Sequence, residues 1–188
     1  MTTSFKRATA AGFTLIELLI VVIILAIISA IAIPQFSAAT SDAQQSAADA
    51  NLAAVRNAIE LYRAQHAGNA YPGVKISSDG TAACTGTKGE GGAGTPEAFV
   101  EQLSYASDKD GRTCSVADEN YRYGPYLRTG IPADPFKNSN KVAVQTTAGP
   151  LAADDGEQGW KYSVISGEFI LNWKPESTGE ADNGANEG

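Results

Sequence analysis

The sequence predicts an α+β protein: one long, bent N-terminal helix whose first half is apolar enough for a membrane, packed through its second half on a small antiparallel sheet. Three observations predict this. Residues 13–33 run almost without polar side chains, residues 35–66 keep strong helix formers with apolar residues on one face, and residues 160–173 alternate as two strands around a turn.

From Phe13 to Ile33 only Thr14, Glu17 and Ser29 are polar among 21 residues. At a rise of ~1.5 Å per residue such a helix covers about 31 Å, enough to cross a bilayer core. A helix of a soluble core keeps a polar face, and this one has none. Upstream, Met1 to Gly12 carries Lys6 and Arg7, then the small residues Ala10, Ala11 and Gly12. Basic residues ahead of the first apolar span keep that end in the cytoplasm. An ordinary secretory signal places its small-residue cleavage site after the apolar region, whereas here it precedes it. Cutting between Gly12 and Phe13 removes the charged leader and leaves the apolar helix on the mature chain.

Glu17 is out of place in that helix. A carboxylate within an apolar span costs roughly 2.5–3.5 kcal/mol, so it calls for a partner. The α-amino group of a newly exposed Phe13 lies four residues away, the spacing of a local helical pair, and could equally reach Glu17 of a neighbouring helix. The alternative is an acid snorkelling to the interface.

Gly12-Phe13-Thr14-Leu15-Ile16-Glu17 resembles the cleavage and methylation motif of type IV prepilins and type II secretion pseudopilins, and Pro34 stands where those families carry a helix-kinking proline. The resemblance covers about the first third of the chain. It implies a pilin-like fold, a cut after Gly12 by a prepilin peptidase, and N-methylation of Phe13. It also implies that Glu17 places an incoming subunit against its neighbour's terminus, with Pro34 shaping the assembled helix. The implied partners are further copies in a homo-oligomeric filament, other pilins or pseudopilins, an inner-membrane assembly platform and membrane lipid. The implied location is the bacterial inner membrane, with a single pass, a short cytoplasmic leader and an external C-terminal domain, followed by a periplasmic or cell-surface filament.

Composition agrees with a structural role. Of 188 residues, removal of the leader leaves 176, one long helix and one modest domain. The mature chain carries 12 basic against 21 acidic side chains, a net −9, which disfavours binding nucleic acid through its phosphates. Cys84 and Cys114 either form one disulfide in an oxidising exterior or remain as two buried thiols. As a bridge they stabilise by ~3–4 kcal/mol in the chain-entropy model.

The domain order is leader 1–12, membrane or filament-core helix 13–34, amphipathic helix 35–67, globular domain 68–174 and a disordered tail 175–188. Pro34 lies inside a continuous helical pattern and kinks it rather than ending it. In the second half Leu52, Val55, Ile59 and Tyr62 recur on one face, and Gly68-Asn69 supplies a stop. Ser77 to Gly94 reads as a flexible surface loop. Its G-x-G-x-x-G at Gly89, Gly91 and Gly94 lacks the βαβ context of a dinucleotide site. Thr95-Pro96-Glu97 then reads as an N-cap, N1 proline and early acid, starting a short helix to about Tyr105 that buries Phe99 and Leu103.

Asn120 to Phe136 is rich in turn-forming Gly-Pro, Ile-Pro and Asp-Pro pairs. Its Tyr121, Tyr123, Tyr126 and Phe136 either stack a ligand or, as expected here, pin the connection to the core. Gly124-Pro-Tyr-Leu and Ile131-Pro-Ala-Asp-Pro-Phe136 resemble the loop before the sheet in major pseudopilins. Val142 to Thr146 reads as a short strand. Trp160, Tyr162 and Val164 alternate on a second strand and Phe169, Leu171 and Trp173 on a third, joined by a two-residue Ser166-Gly167 turn.

For catalysis the chain offers little. His66 is the sole histidine and reads as a helix C-terminal residue favoured by the dipole rather than part of a Ser-His-Asp set. There is no Cys-x-x-Cys, P-loop or His-Glu-x-x-His, so no enzyme and no cofactor are expected. Asp154, Asp155 and Glu157 form either a solvated acidic loop or part of an oxygen-ligand calcium site. Related major pseudopilins bind calcium after their sheet, but here Glu180 and Asp182 follow the hairpin almost at once. The expected function is a type IV filament subunit. The D-P-F loop and compact hairpin favour a type II secretion pseudopilin. An adhesive or motility pilin, and a membrane-tethered domain that never polymerises, stand as alternatives.

Overall fold

Helix α1 runs from Leu15 to Gln65 in the computed structural model, which describes residues 12–78, 83–154 and 156–174. The leader as far as Ala11, Asp155 and the tail from Pro175, with Glu180 and Asp182, lie outside the described residues. The chain divides into two compact units within α1, between Ala43 and Gln44. Among the described residues the first holds residues 12–14 and the start of α1, and Pro34 lies within the helix without ending it.

The second unit is α+β. Helix α1 stops where glycine and asparagine permit it: Gly68 has φ 77° and Asn69 φ 50°, and the Ala67 amide donates to the Lys109 carbonyl at 3.0 Å. Helix α2 spans Pro96–Ser104, capped by the Thr95 hydroxyl, which accepts from the Ala98 amide at 3.2 Å. Strands β1 (Ala106–Ser107) and β2 (Thr113–Cys114) form a small antiparallel pair. Strands β3 (Val142–Gln145), β4 (Trp160–Ser163) and β5 (Phe169–Leu171) form the main sheet in the order β3-β4-β5.

One pairing departs from the expected antiparallel sheet. Strands β4 and β5 are antiparallel, with Tyr162 opposite Phe169, but β3 lies parallel to β4, with Val142 opposite Trp160. A parallel pair needs a long return connection, and residues 146–159 supply one. The hairpin turn is also longer than two residues. Ser163 already pairs with Glu168, and the Gly167 amide donates to the Ser163 carbonyl at 2.9 Å, so residues 164–167 make the turn. The Ser163 hydroxyl accepts from the Ile165 and Ser166 amides, both at 3.3 Å, which closes the chain one step early. Gly167 completes it at φ 73°, and a Cβ there would lie 2.2 Å from the Tyr71 ring.

The core joins all three layers. Val55, Ala58, Ile59 and Tyr62 of α1 and Phe99 and Leu103 of α2 pack with Val142, Trp160, Tyr162 and Phe169 of the sheet. Phe99 meets Tyr162 at a ring separation of 4.1 Å, and Trp160 meets Phe169 at 5.2 Å, within the range where aromatic pairs add to plain burial. Arg56 of α1 donates twice to the Phe169 carbonyl, at 3.0 and 2.8 Å, and so caps the outer edge of β5.

The glycine-rich stretch is not the flexible loop its composition suggests, where it is described. The Glu101 carboxylate of α2 accepts from the Ser77 hydroxyl and from the Glu90 and Gly91 amides, the latter two at 3.1 Å. Gly91 lies so close to α2 that a Cβ would fall 2.2 Å from the Ala98 nitrogen. Gly91 thus serves close packing against α2, while Gly89 lies against Thr113 and Gly94 against Thr146, and among the described residues no βαβ unit surrounds them. Cys84 and Cys114 are joined, with Cα atoms 5.8 Å apart, and close a loop holding α2 and β1.

The Ile131–Phe136 segment is a clamp. Trp160 Nε1 donates to the Pro132 carbonyl at 2.7 Å, Asn51 Nδ2 to the Ala133 carbonyl at 3.3 Å, and Gln44 Nε2 to the Pro135 carbonyl at 3.0 Å. Buried Asp134 turns the chain by accepting from the Phe136, Lys137 and Ser139 amides at 2.9, 2.8 and 3.1 Å. Proline carbonyls and a capped turn thereby tie the connection to both α1 and β4.

Candidate functional site: the head of the apolar helix

The helix head is built by a capping box. Thr14 is the last residue before α1, and its hydroxyl accepts from the Glu17 amide at 3.3 Å. Glu17 Oε2 in return accepts from the Thr14 amide at 2.9 Å and its hydroxyl at 2.7 Å. Thr14 is the functional residue that reading for charge missed. The signal was present, because T-x-x-E ahead of an apolar run is a helix-start signature in its own right. Both bonds fall on Oε2, so Oε1 accepts none among the described residues. The carboxylate is thus held beside the first turn, where the helix dipole favours it.

Around this cap everything is accessible. A Cβ at Gly12 would meet nothing within 4 Å, and Phe13 is 80% exposed. From Leu15 to Ile33 the large apolar side chains are all about half exposed or more, and none of the most apolar stretch is covered by the rest of the chain. An uncovered apolar surface of this size needs lipid or other protein around it.

The remaining candidates lie elsewhere. Tyr121 is buried beside the disulfide, Tyr123 pairs through its backbone with Ser107, and Phe136 stacks on Trp173 at 4.2 Å, so these aromatics pin the chain. Tyr126 packs edge-on to Tyr62 and donates its hydroxyl to Gln65 at 2.8 Å. Asp154 faces Lys161, and Glu157 is exposed. Among the described residues no three His, Cys, Asp or Glu side chains converge on one point.

His66 does follow the last residue of α1, as expected, but it is buried there. It is 5% exposed and stacked on Tyr62 at 3.7 Å. Nδ1 lies 2.7 Å from the Tyr62 carbonyl and Nε2 3.0 Å from the Ser107 hydroxyl, which assigns the proton to Nδ1 and makes Nε2 an acceptor. Burial holds its pKa below the ordinary value, against the opposing pull of the Tyr62 carbonyl and Asp108. The unfolded chain therefore binds this proton first as pH falls through about 6.5, and stability drops until the folded value is passed. We expect the urea midpoint to decline from pH 7 to pH 5, and His66→Gln to flatten that slope.

An apolar, uncovered N-terminal helix headed by a capped acid, followed along the chain by a small α+β unit, places the protein in the class with a membrane-type N-terminal helix and a small α+β domain. Comparison with known proteins agrees. Residues 7–33 match the family described as the prokaryotic N-terminal methylation motif. The type II secretion system core protein G of Aeromonas hydrophila is 32% identical over 168 residues, covering 89% of this chain and 95% of that one. The core protein G of Pseudomonas aeruginosa is 28% identical over 159 residues, covering 82% and 91%. The type IV narrow pilus major component PilA5 of Thermus thermophilus is 49% identical over 59 residues, 31% of this chain and 51% of that protein, so that match spans only about half its length. No solved structure matches the chain. The chain belongs to the type IV pilin-like superfamily, which holds both the type II secretion core protein G and the type IV pilins.

Proposed function

We propose that this protein is a structural subunit of a type IV filament, and within that class a subunit of a type II secretion pseudopilus. The observation that carries the filament reading is the apolar helix from Leu15 to Ile33, uncovered on every side and headed by Gly12-Phe13 and a capped acid. Prepilin peptidase cuts after Gly12, and Phe13 becomes the methylated terminus. The helix waits in the inner membrane with its domain outside. On assembly, contacts with neighbouring helices replace contacts with lipid. Glu17 then exchanges its Thr14 cap for the terminal amine of an adjacent copy, which selects the axial register. Pro34 adjusts the helix within the bundle. The assembly platform and other pseudopilins are the remaining partners.

The pseudopilus assignment rests on likeness along nearly the whole chain to the two core G proteins. The PilA5 likeness is confined to a third of the chain and supports the shared helix rather than the subclass. Loss of protein secretion with normal surface fibres on deletion supports the pseudopilus, whereas loss of surface fibres supports a pilin of adhesion or motility.

Mass spectrometry of the mature terminus is the direct test. The expected mature chain starts at methylated Phe13, and Gly12→Leu leaves the leader attached. A natural chain that keeps its first twelve residues supports a tethered, non-polymerising domain instead.

A further inference from the structure

Two lysines occupy the loop where a divalent cation would otherwise be sought. The loop between β3 and β4 returns past the end of β5, and its carbonyls converge on ammonium groups. Lys161 Nζ donates to the Ala152 carbonyl and to Asp154 Oδ2, both at 2.9 Å. Lys137 Nζ donates to the Gly156 carbonyl at 2.8 Å and the Asn172 carbonyl at 2.6 Å. Asp154 Oδ1 is taken as well, accepting from Asn172 Nδ2 at 2.9 Å and the Gly156 amide at 3.0 Å. Buried Asn172 closes the set: its Oδ1 accepts from the Asp154 amide at 2.9 Å and its Nδ2 also donates to the Gln158 carbonyl at 3.2 Å.

Calcium collects six to eight oxygens, carboxylate and carbonyl together, at roughly 2.3–2.6 Å. Both Asp154 carboxylate oxygens and the carbonyls of Ala152, Gly156, Gln158 and Asn172 are already bonded to positive or polar hydrogen donors, while Glu157 is exposed. A dication entering among them would displace two ammonium groups or sit against their charge. The Lys161 side chain is only 16% exposed, so its charge is withdrawn from water and committed to this loop. Asp154 responds accordingly, its carboxyl held far below the usual range first by Lys161, then by Asn172 and the Gly156 amide. The described residues of this loop do not fit a calcium centre.

We propose that Lys137 and Lys161 act as built-in cations that clamp Ala152, Asp154 and Gly156 to the sheet, so that the fold of this unit is independent of divalent metal. The clamp also ties down the residues just after β5, because Lys137 follows Phe136, which stacks on Trp173 next to Asn172. Nothing in it depends on polymerisation.

The test uses the full chain in detergent, melted with tryptophan fluorescence as the readout, in EDTA and in millimolar calcium chloride. The expected midpoints agree within about 1 °C. A calcium site filled at a hundredfold excess over its Kd would raise the midpoint by roughly 5–10 °C, and such a rise overturns the proposal. Lys161→Ala and Lys137→Ala, each measured in EDTA, are expected to lower the midpoint by several degrees, and wild-type midpoints in both would also overturn it. Should either variant fail to fold, lysine labelling of the wild-type chain by an amine-reactive ester reads the same clamp. Lys109, with a side chain 73% exposed, should label at least tenfold faster than Lys137 and Lys161, and equal labelling counts against the clamp.

Discussion

Glu17→Ala leaves leader removal intact and stops polymer growth. Under the proposed function, peptidase recognition would rest on the charged leader and Gly12-Phe13, all of which the substitution spares. The alanine helix, however, no longer carries the one charge in its apolar span, and its cost in lipid falls by roughly 2.5–3.5 kcal/mol. In the proposed filament, extraction from the membrane would become harder, and the terminal amine of a neighbouring copy would enter an apolar bundle without a counter-charge. Breaking a buried pair by removing one partner costs about 3–5 kcal/mol, which corresponds to at least a hundredfold loss of assembled material. The check is a processed mass at the mature terminus together with a sheared-filament fraction at background. Abundant filaments from the alanine variant refute the registry role. Thr14→Ala separates the cap from the charge. It removes a hydroxyl worth about 1 kcal/mol from the unassembled helix alone, since the cap is given up on assembly, so filament yield is expected to hold or rise slightly where Glu17→Ala abolishes it.

Trp160→Ala carries the largest expected effect on the folded unit. The side chain is fully buried between the helix layer and β5, stacked on Phe169, and its indole donates to the Pro132 carbonyl. Truncating a buried aromatic costs about 3–5 kcal/mol. For a chain of this size that lowers the melting midpoint by roughly 6–20 °C, read by circular dichroism. Trp160→Phe keeps most of the ring volume but strands the Pro132 carbonyl, for a smaller loss of about 1–3 kcal/mol. Because that carbonyl lies in the segment that also receives Gln44 and Asn51, the phenylalanine variant should loosen the Ile131–Phe136 clamp selectively. Faster amide exchange at Asp134–Lys137 with the core unchanged is the expected signature, and uniform loosening would refute it.

The features read correctly from the residues are those decided within one or two turns of chain. The apolar helix follows from an unbroken run of apolar side chains, and the stripe Val55, Ile59 and Tyr62 from its helical period. Helix α2 follows from Thr95-Pro96-Glu97, since a cap and a proline act on the turn that contains them. The alternation Trp160, Tyr162 and then Phe169 sets which faces of β4 and β5 enter the core, because strand geometry repeats every two residues.

What was illegible depends on partners distant in sequence. The parallel pairing of β3 with β4 leaves no mark on Val142–Gln145, because the same residues suit either direction. His66 looks like a helix end until Tyr62, Ser107 and Tyr123 close around it. Gly91 looks like slack until Glu101 ties it to α2, and Asp154 looks like a metal ligand until Lys161 arrives from the next strand. By itself, then, the order of residues determined where the long helix and α2 run, which surface is apolar, and which faces of β4 and β5 turn inward. Only the tertiary structure decided which polar and charged groups meet, because a hydrogen bond or ion pair is made through space by whichever donor the fold brings within about 3 Å.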